Sequence, residues 1–180
     1  MTPGNPPPAA SPPPDSRIRC PVFGLLDNIR SAWNVGSMFR SADAAGLSGL
    51  YLCGLTATPP RADIEKTALG ASSAVPWDYW PETLAAVQTV RRRGMQVVAL
   101  ECVAEAALYD EFAYRFPLCY VVGHEVHGIA PEVLLACDAV VRIPMYGSKE
   151  SLNVAVSFGL MAYQARRSWA AQTDSSSRQA

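Results

Sequence analysis

Three loops concentrate the side chains able to do chemistry. The first, DNIRSAWNVGSMFRSADAAG from Asp27 to Gly46, carries Asn34, Gly36 and Arg40. Asn34 reads as a helix N-cap, because its side-chain oxygen can accept a free N–H of the first turn. Gly36 lets a ligand or another backbone come close. Arg40 stands one turn after Gly36, off the apolar stripe and on the face that holds Asp43. Two readings stand for it. One is an i,i+3 ion pair with Asp43 on a solvated face; the other is a guanidinium fork clamping phosphate or ribose oxygens in a crevice.

The second loop, Gly123-His124-Glu125-Val126-His127-Gly128-Ile129-Ala130-Pro131, follows the apolar run LCYVV. Its two histidines are three apart between glycines. A zinc helix needs them at i and i+4, and the chain holds no third histidine, so no metal is expected. Glu125 in so tight a turn is expected to hold the loop's own N–H groups. The third loop runs Ile143-Pro144-Met145 to Ser151-Leu152-Asn153, where Pro144 stops a strand and Ser151 and Asn153 enter a helix. Capping explains one of these two polar residues and leaves the other for a site. No GxGxxG, GxxxxGK[ST] or GxSxG is present, so dinucleotide, P-loop and serine-hydrolase chemistry lack their signatures.

The elements that must position these loops follow from the apolar periodicity. Val22–Leu26, Gly49–Cys53, Trp77–Trp80, Gln96–Leu100, Leu118–Val122 and Ala139–Ile143 read as strands. Helices are predicted over 35–45, 62–69 (with Gly70 as C-cap), 82–93 between Pro81 and Gly94, 131–137 and 152–169. Apolar strands alternating with helices predict an α/β domain with a mostly parallel sheet and helices on both faces. Ligands of such sheets bind beyond the strands' carboxyl ends, which singles out the loops after Leu26, Leu100, Val122 and Ile143. The last helix is apolar nearly all round. It should therefore be enclosed by its own domain, by a second subunit, or by both.

Composition sets the frame. Of 180 residues, 49% are hydrophobic and 17% charged, which excludes fibrous and fully disordered classes. Seven of fifteen prolines fall in residues 1–16, read as a disordered tail without the apolar run of a signal peptide; residues 172–180 read as a polar tail. Setting aside Asp15, Asp174 and Arg178 leaves 14 basic and 14 acidic residues in the 17–171 domain. No bulk positive field announces a nucleic-acid partner. Five scattered cysteines read as reduced, core-filling thiols of a cytoplasmic protein. The longest uncharged stretch near the end, 151–165, is short of the ~20 residues a bilayer requires, so no membrane segment is expected.

Taken together, Asn34-x-Gly36-x-x-x-Arg40-x-Ala42, Gly123-x-Glu125-x-x-Gly128, and Ile143-Pro144-Met145 with Ser151-Leu152-Asn153 resemble the SpoU/TrmH branch of the SPOUT RNA methyltransferases. KTALGASSAVPW, residues 66–77, is similar to the family's segment after the second strand. The resemblance spans about residues 20 to 168. It implies S-adenosylmethionine as methyl donor and the ribose 2′-hydroxyl of tRNA or rRNA as acceptor. It also implies a homodimer through the knot region and C-terminal helix, and a C-terminal deep trefoil knot, which general topology rules would not propose. Carried over position by position, Leu100, Gly123, Ile143, Met145, Ser151 and Leu152 would meet the cofactor. Arg40 would be the catalytic arginine, with Asn34, Glu125, Ser151 and Asn153 around it. A guanidinium stays protonated, so its expected role is to hold phosphate or ribose and stabilise developing alkoxide charge. With only the Pro-rich tail before the domain, the catalytic dimer is expected to grip RNA itself. Candidates are Arg30, Arg61, Arg91–Arg93, Arg166 and Arg167, though Arg91–Arg93 also suit a helix C-terminus electrostatically. The alternatives are a SPOUT methyltransferase acting on a base nitrogen and a non-catalytic RNA-binding protein that keeps the knot.

Overall fold

In the computed structural model of the protein, which describes residues 19–177, the apolar runs become one seven-stranded sheet with every neighbouring pair parallel. The elements in chain order are β1 (Cys20–Asp27), α1 (Ala32–Ala45), β2 (Leu47–Cys53), α2 (Ala62–Ala68), α3 (Ala71–Ala74), β3 (Trp77–Trp80) and α4 (Thr83–Arg92). They continue with β4 (Gln96–Leu100), β5 (Ala107–Leu108), β6 (Leu118–Val122), α5 (Pro131–Ala136), β7 (Ala139–Arg142) and α6 (Val154–Ser177). Strand order is β3-β2-β1-β6-β4-β7-β5. The register sets Leu26 beside Val122 and Leu100 beside Val141, so the loops after β1, β6, β4 and β7 leave along one edge.

The strands have no polar face because both faces are covered. Val22, Leu26, Val98, Leu118, Tyr120 and Val122 join the core under α1, α2, α3 and α6. The intervening Leu25, Val97, Ala99, Cys119 and Val121 join a second core under α4 and α5. This is the period-two alternation of a strand, with both sets apolar. Gly36 is where α2 crosses α1, because a Cβ there would collide with the Thr67 hydroxyl and the Ile64 carbonyl. The approach its absence of side chain permits is thus that of a backbone.

Several expectations need correction. The first helix starts earlier than 35, at Ala32, and its N-cap is Ser31, whose Oγ accepts from the Asn34 N–H at 3.3 Å. Asn34 is therefore inside the first turn with its amide free for other work. The left-handed residue ending α2 is Leu69 (φ 50°), with Gly70 opening α3, a one-turn helix that periodicity could not reveal. The two-residue strand β5 was equally invisible. The last strand ends at Arg142, a residue before the expected Ile143, and α6 starts at Val154 rather than at 152.

At the other end, α6 runs on to Ser177 rather than stopping near 169. The expected polar tail is helical over much of its length, with the Gln172 amide donating to the Tyr114 carbonyl at 2.8 Å. The residues 1–16 expected to form a disordered tail lie outside the described residues. Its own domain encloses α6 on one side only, one of the arrangements the sequence left open. Phe158, Met161, Ala162 and Ala165 are fully buried on one face, while Val156 (52%), Leu160 (40%) and Tyr163 (56%) are exposed on another. Among the described residues no helix is long and apolar enough to cross a membrane.

Candidate active site

A cavity of about 270 Å³ opens at the carboxyl ends of β4, β6 and β7. Leu100, Gly123, Ile143, Met145, Ser151 and Leu152, the six positions expected to meet a cofactor, all line it, with Val122, Glu125 and Asn153. Apolar walls from Leu100, Val122, Ile143 and Leu152 share the lining with Glu101, Glu125, Ser151 and Asn153, and the space lies just below the ~300–1,000 Å³ of small-molecule sites, which suits a ligand with flat rings and polar edges. The residues fit an adenosine-bearing cofactor.

The loop after β6 shows why its two glycines are needed. His124 and Gly128 exchange N–H···O bonds of 3.1 and 2.9 Å, closing the loop on itself. Gly128 sits at φ 67°, and a Cβ there would strike the Glu101 carboxylate. A Cβ on Gly123 would press within 2.6 Å of the Gly128 carbonyl oxygen. His124 Nδ1 accepts from the Val126 and His127 N–H groups at 3.0 and 3.2 Å, and its ring stacks on His127. An accepting Nδ1 puts the neutral ring's proton on Nε2. The histidine therefore performs the loop-holding role expected of Glu125.

Glu125 instead reaches across to the first loop. Its Oε2 accepts from the Arg30 N–H at 3.0 Å, and its Oε1 accepts from the Ser31 N–H and the Asn34 amide, both at 3.1 Å. A carboxylate here also faces the positive end of α1. Burial works to raise its pKa. The N–H groups of Arg30, Glu125 itself and Ser31, with the Asn34 amide, outweigh burial and hold the pKa below the ordinary value. Asn34 Oδ1 in turn accepts from the Asn153 amide at 3.3 Å, and Asn153 Oδ1 caps α6 through the Ala155 N–H at 2.9 Å. Asn153 is thus the cap, and Ser151 is the residue left to the cavity. One chain of hydrogen bonds ties Glu125, Asn34 and Asn153, and so all three loops, at the cavity mouth.

Arg40 is not brought into this cluster. It is exposed on α1, six residues or about 9 Å of helix beyond Asn34, outside the cavity lining. The ion pair with Asp43 does not form, because Asp43 is taken by Arg19 at 3.4 Å. Of the other arginines expected to grip RNA, Arg91 is bound to Asp138 at 2.7 Å and Arg61 lies 3.7 Å from Asp63. Sequence reasoning missed Glu101, whose carboxylate accepts from the Ile129 N–H at 2.9 Å and the Cys102 N–H at 3.0 Å and braces the loop from β4. Its only signal is a carboxylate directly after an apolar strand. Cys102 also departs from the core-filling expectation. It is exposed at the cavity, whereas burial pushes the Cys53 and Cys137 thiols up to about 12.

The SpoU rRNA methylase family model matches residues 21–163, a span that contains the whole site. The chain belongs to the SpoU rRNA methylase family. A tRNA (guanosine(18)-2′-O)-methyltransferase of Aquifex aeolicus is 33% identical over 146 residues, covering 79% of this chain and 67% of that protein. The 23S rRNA (guanosine-2′-O-)-methyltransferase RlmB of Vibrio parahaemolyticus is 31% identical, covering 82% and 59%. Among solved structures, the AdoMet-bound rRNA methyltransferase of Sinorhizobium meliloti superposes with a TM-score of 0.76 at 33% identity, covering 81% of this chain and 56% of that one. This SpoU chain therefore spans a little over half to two thirds of these relatives. The glycines that close its second loop and the Asn34–Glu125–Asn153 chain both lie within the matched span.

Proposed function

We propose that this chain is an S-adenosylmethionine-dependent RNA methyltransferase that methylates a ribose 2′-hydroxyl of tRNA or rRNA in the cytoplasm. The observation that carries this reading is the convergence of six apolar or small residues on one cavity that also holds Glu125 and Asn153, which Asn34 links to each other. When bound, S-adenosylmethionine supplies an electrophilic methyl group carried on a sulfonium. Leu100, Ile143 and Leu152 provide apolar walls that exclude water from the reacting atoms, and Ser151 gives a hydroxyl at their edge. Asn34 and Asn153, locked by their mutual hydrogen bond, orient the ribose at the mouth. With the cofactor in place the ribose oxygen would accept the methyl group as the sulfonium becomes a neutral thioether, and the hydroxyl proton would leave to water or an RNA phosphate. Arg40, exposed on α1 outside the cavity lining, holds an RNA phosphate and so positions the ribose.

The family also supports a C-terminal deep trefoil knot that gathers residues 143–153 around the cofactor. A homodimer accounts for the apolar face of α6, since pairing would cover Val156, Leu160 and Tyr163 beside the groove between α1 and α6. Two measurements test the activity. Calorimetry with S-adenosylhomocysteine should give saturable heat, and nuclease digests of treated tRNA and rRNA should yield a 2′-O-methyl nucleoside by mass spectrometry. Absence of heat, or a methyl group found on a base, would overturn the reading.

A further inference from the structure

The side chain next to Asn34 has no part in the cavity. Trp33 sits in the first turn of α1 with 46% of its surface exposed, among the larger exposed apolar groups of the chain. An indole left in water at such a place is costly unless something covers it. Its surroundings select the chemistry of the cover. The Lys66 ammonium lies 4.9 Å from the centre of the ring, a cation–π contact that α2 brings across. Arg30 precedes it in the same loop and Arg40 follows seven residues later, two turns along the same side of α1. Both are exposed, and among the described residues neither guanidinium has a carboxylate partner.

The backbone that carries the ring is also fastened. The Trp33 carbonyl accepts from the Ser37 hydroxyl at 2.9 Å and from the Thr67 hydroxyl at 3.0 Å, which fastens this turn of α1 to α2. Next to it, the Ser31 N–H and the Asn34 amide are bound by Glu125. A flat, rigid aromatic ring edged by three cations beside a reaction site is the composition that binds unstacked bases. Such a base offers a π-face to the ring and its phosphates to the cations.

We propose that Trp33, backed by Lys66 and flanked by Arg30 and Arg40, is a stacking platform for a single-stranded RNA base adjacent to the methylated nucleotide. The proposal rests on the RNA methyl-transfer reading above. Drawing a nucleotide out of its strand to set its 2′-hydroxyl at the Asn34–Asn153 pair would unstack the neighbouring base. The Trp33 ring, one residue from Asn34, recovers that stacking on the protein. It acts as a positioning residue that touches the RNA and not the transferred methyl group.

The test titrates the full chain with a short oligo-uridine and with an unmodified tRNA transcript, following wild type by tryptophan fluorescence and every form by calorimetry, beside calorimetry with S-adenosylhomocysteine. Wild-type fluorescence should be quenched by oligo-uridine, and Trp33→Phe, which keeps a ring, should bind it within about threefold of wild type. Trp33→Ala and Trp33→Leu should both bind about tenfold more weakly and raise the KM for RNA with little change in kcat. All variants should bind S-adenosylhomocysteine as wild type does. Leucine keeps apolar cover over α1, so its loss of binding separates stacking from folding. Equal RNA affinity of wild type and Trp33→Leu overturns the platform. So does a fall in sedimentation mass in Trp33→Leu, which would assign the ring to a contact between copies. Failure of wild type to bind S-adenosylhomocysteine while oligo-uridine still quenches Trp33 overturns the methyl-transfer reading and spares the platform.

Discussion

Two clefts open along the carboxyl edge of the same sheet, and each holds a carboxylate from the end of a strand or the loop just beyond it. One lies over β4, β6 and β7 and carries Glu125; the other lies at the ends of β1, β2 and β3 and carries Asp27. The second is the larger, about 490 against about 270 Å³, so size does not select the site. The difference is what each carboxylate is made to do. Asp27 is buried at 2% exposure and accepts from the Thr83 hydroxyl at 2.5 Å and the Asn28 amide at 2.8 Å. Burial raises its pKa, the bonds from Thr83 and Asn28 offset this only in part, and the charge of Glu132 adds to the rise. It fastens α4 to β1. Glu125 spends its charge on N–H groups of a different loop and thereby holds Asn34 against Asn153, a residue of the cavity lining. A strand-end carboxylate becomes part of a site when it organises neighbouring loops, and part of the core when it is sealed between elements.

This contrast can be broken in several ways. The largest expected effect is on Arg40, which is exposed on α1 outside the lining of either cleft and is expected to act by holding the RNA. Arg40→Ala should lower methyl transfer by about two to three orders of magnitude while S-adenosylhomocysteine affinity stays within about twofold, by calorimetry. Full turnover by that variant would remove Arg40 from the reaction. Glu125→Gln keeps the shape but weakens the charge-assisted bonds to Arg30 and Ser31. Activity should fall about 30-fold and the melting temperature should drop by several degrees. Asp27→Asn should leave activity within about twofold, since it changes core hydrogen bonding and not the cavity. A larger loss would mean the two clefts are coupled.

The pH dependence should run in opposite directions. Glu125 has a depressed folded pKa, so its stabilisation is present above the ordinary carboxylate value and lost as pH falls through the folded value. The gap in melting temperature between wild type and Glu125→Gln should close on going from neutral pH to about pH 3. Asp27 has a raised folded pKa, so its favourable contribution is present below the ordinary value and lost as pH rises through the folded one. Asp27→Asn should accordingly compare better with wild type at neutral pH than in acid. Parallel trends would refute the assignment. The smallest effect concerns salt. With Arg91 and Arg61 facing carboxylates, few cations are left for phosphates, and RNA affinity should fall only shallowly with salt, by a slope of about 3 or less on logarithmic axes.

Much of this was legible in the residues. Apolar strands without polar alternation identified a two-sided parallel sheet, and the glycine, proline and polar residues after Val122 and Ile143 marked the edge where the cavity lies. The positions of Leu100, Gly123, Ile143, Met145, Ser151 and Leu152 on one cavity were legible through family resemblance. Partners across loops were not. Spacing within the chain offered an Arg40–Asp43 ion pair as one of two readings, whereas Arg19, 24 residues away, takes that carboxylate. Glu125 was expected to serve its own loop, yet it binds residues more than 90 positions earlier.

The sequence by itself determined the class of fold, the edge of the sheet that carries chemistry, and the glycines without which the second loop could not close. Side-chain periodicity and backbone sterics act over a few residues and are written locally. Only the tertiary structure decided that His124 holds the loop, that Glu125 links three loops through Asn34 and Asn153, and that one face of α6 stays exposed. Each depends on which groups from distant parts of the chain compete for the same hydrogen bond or the same buried surface. The sheet order β1-β6-β4-β7, which brings those groups together, settles that competition.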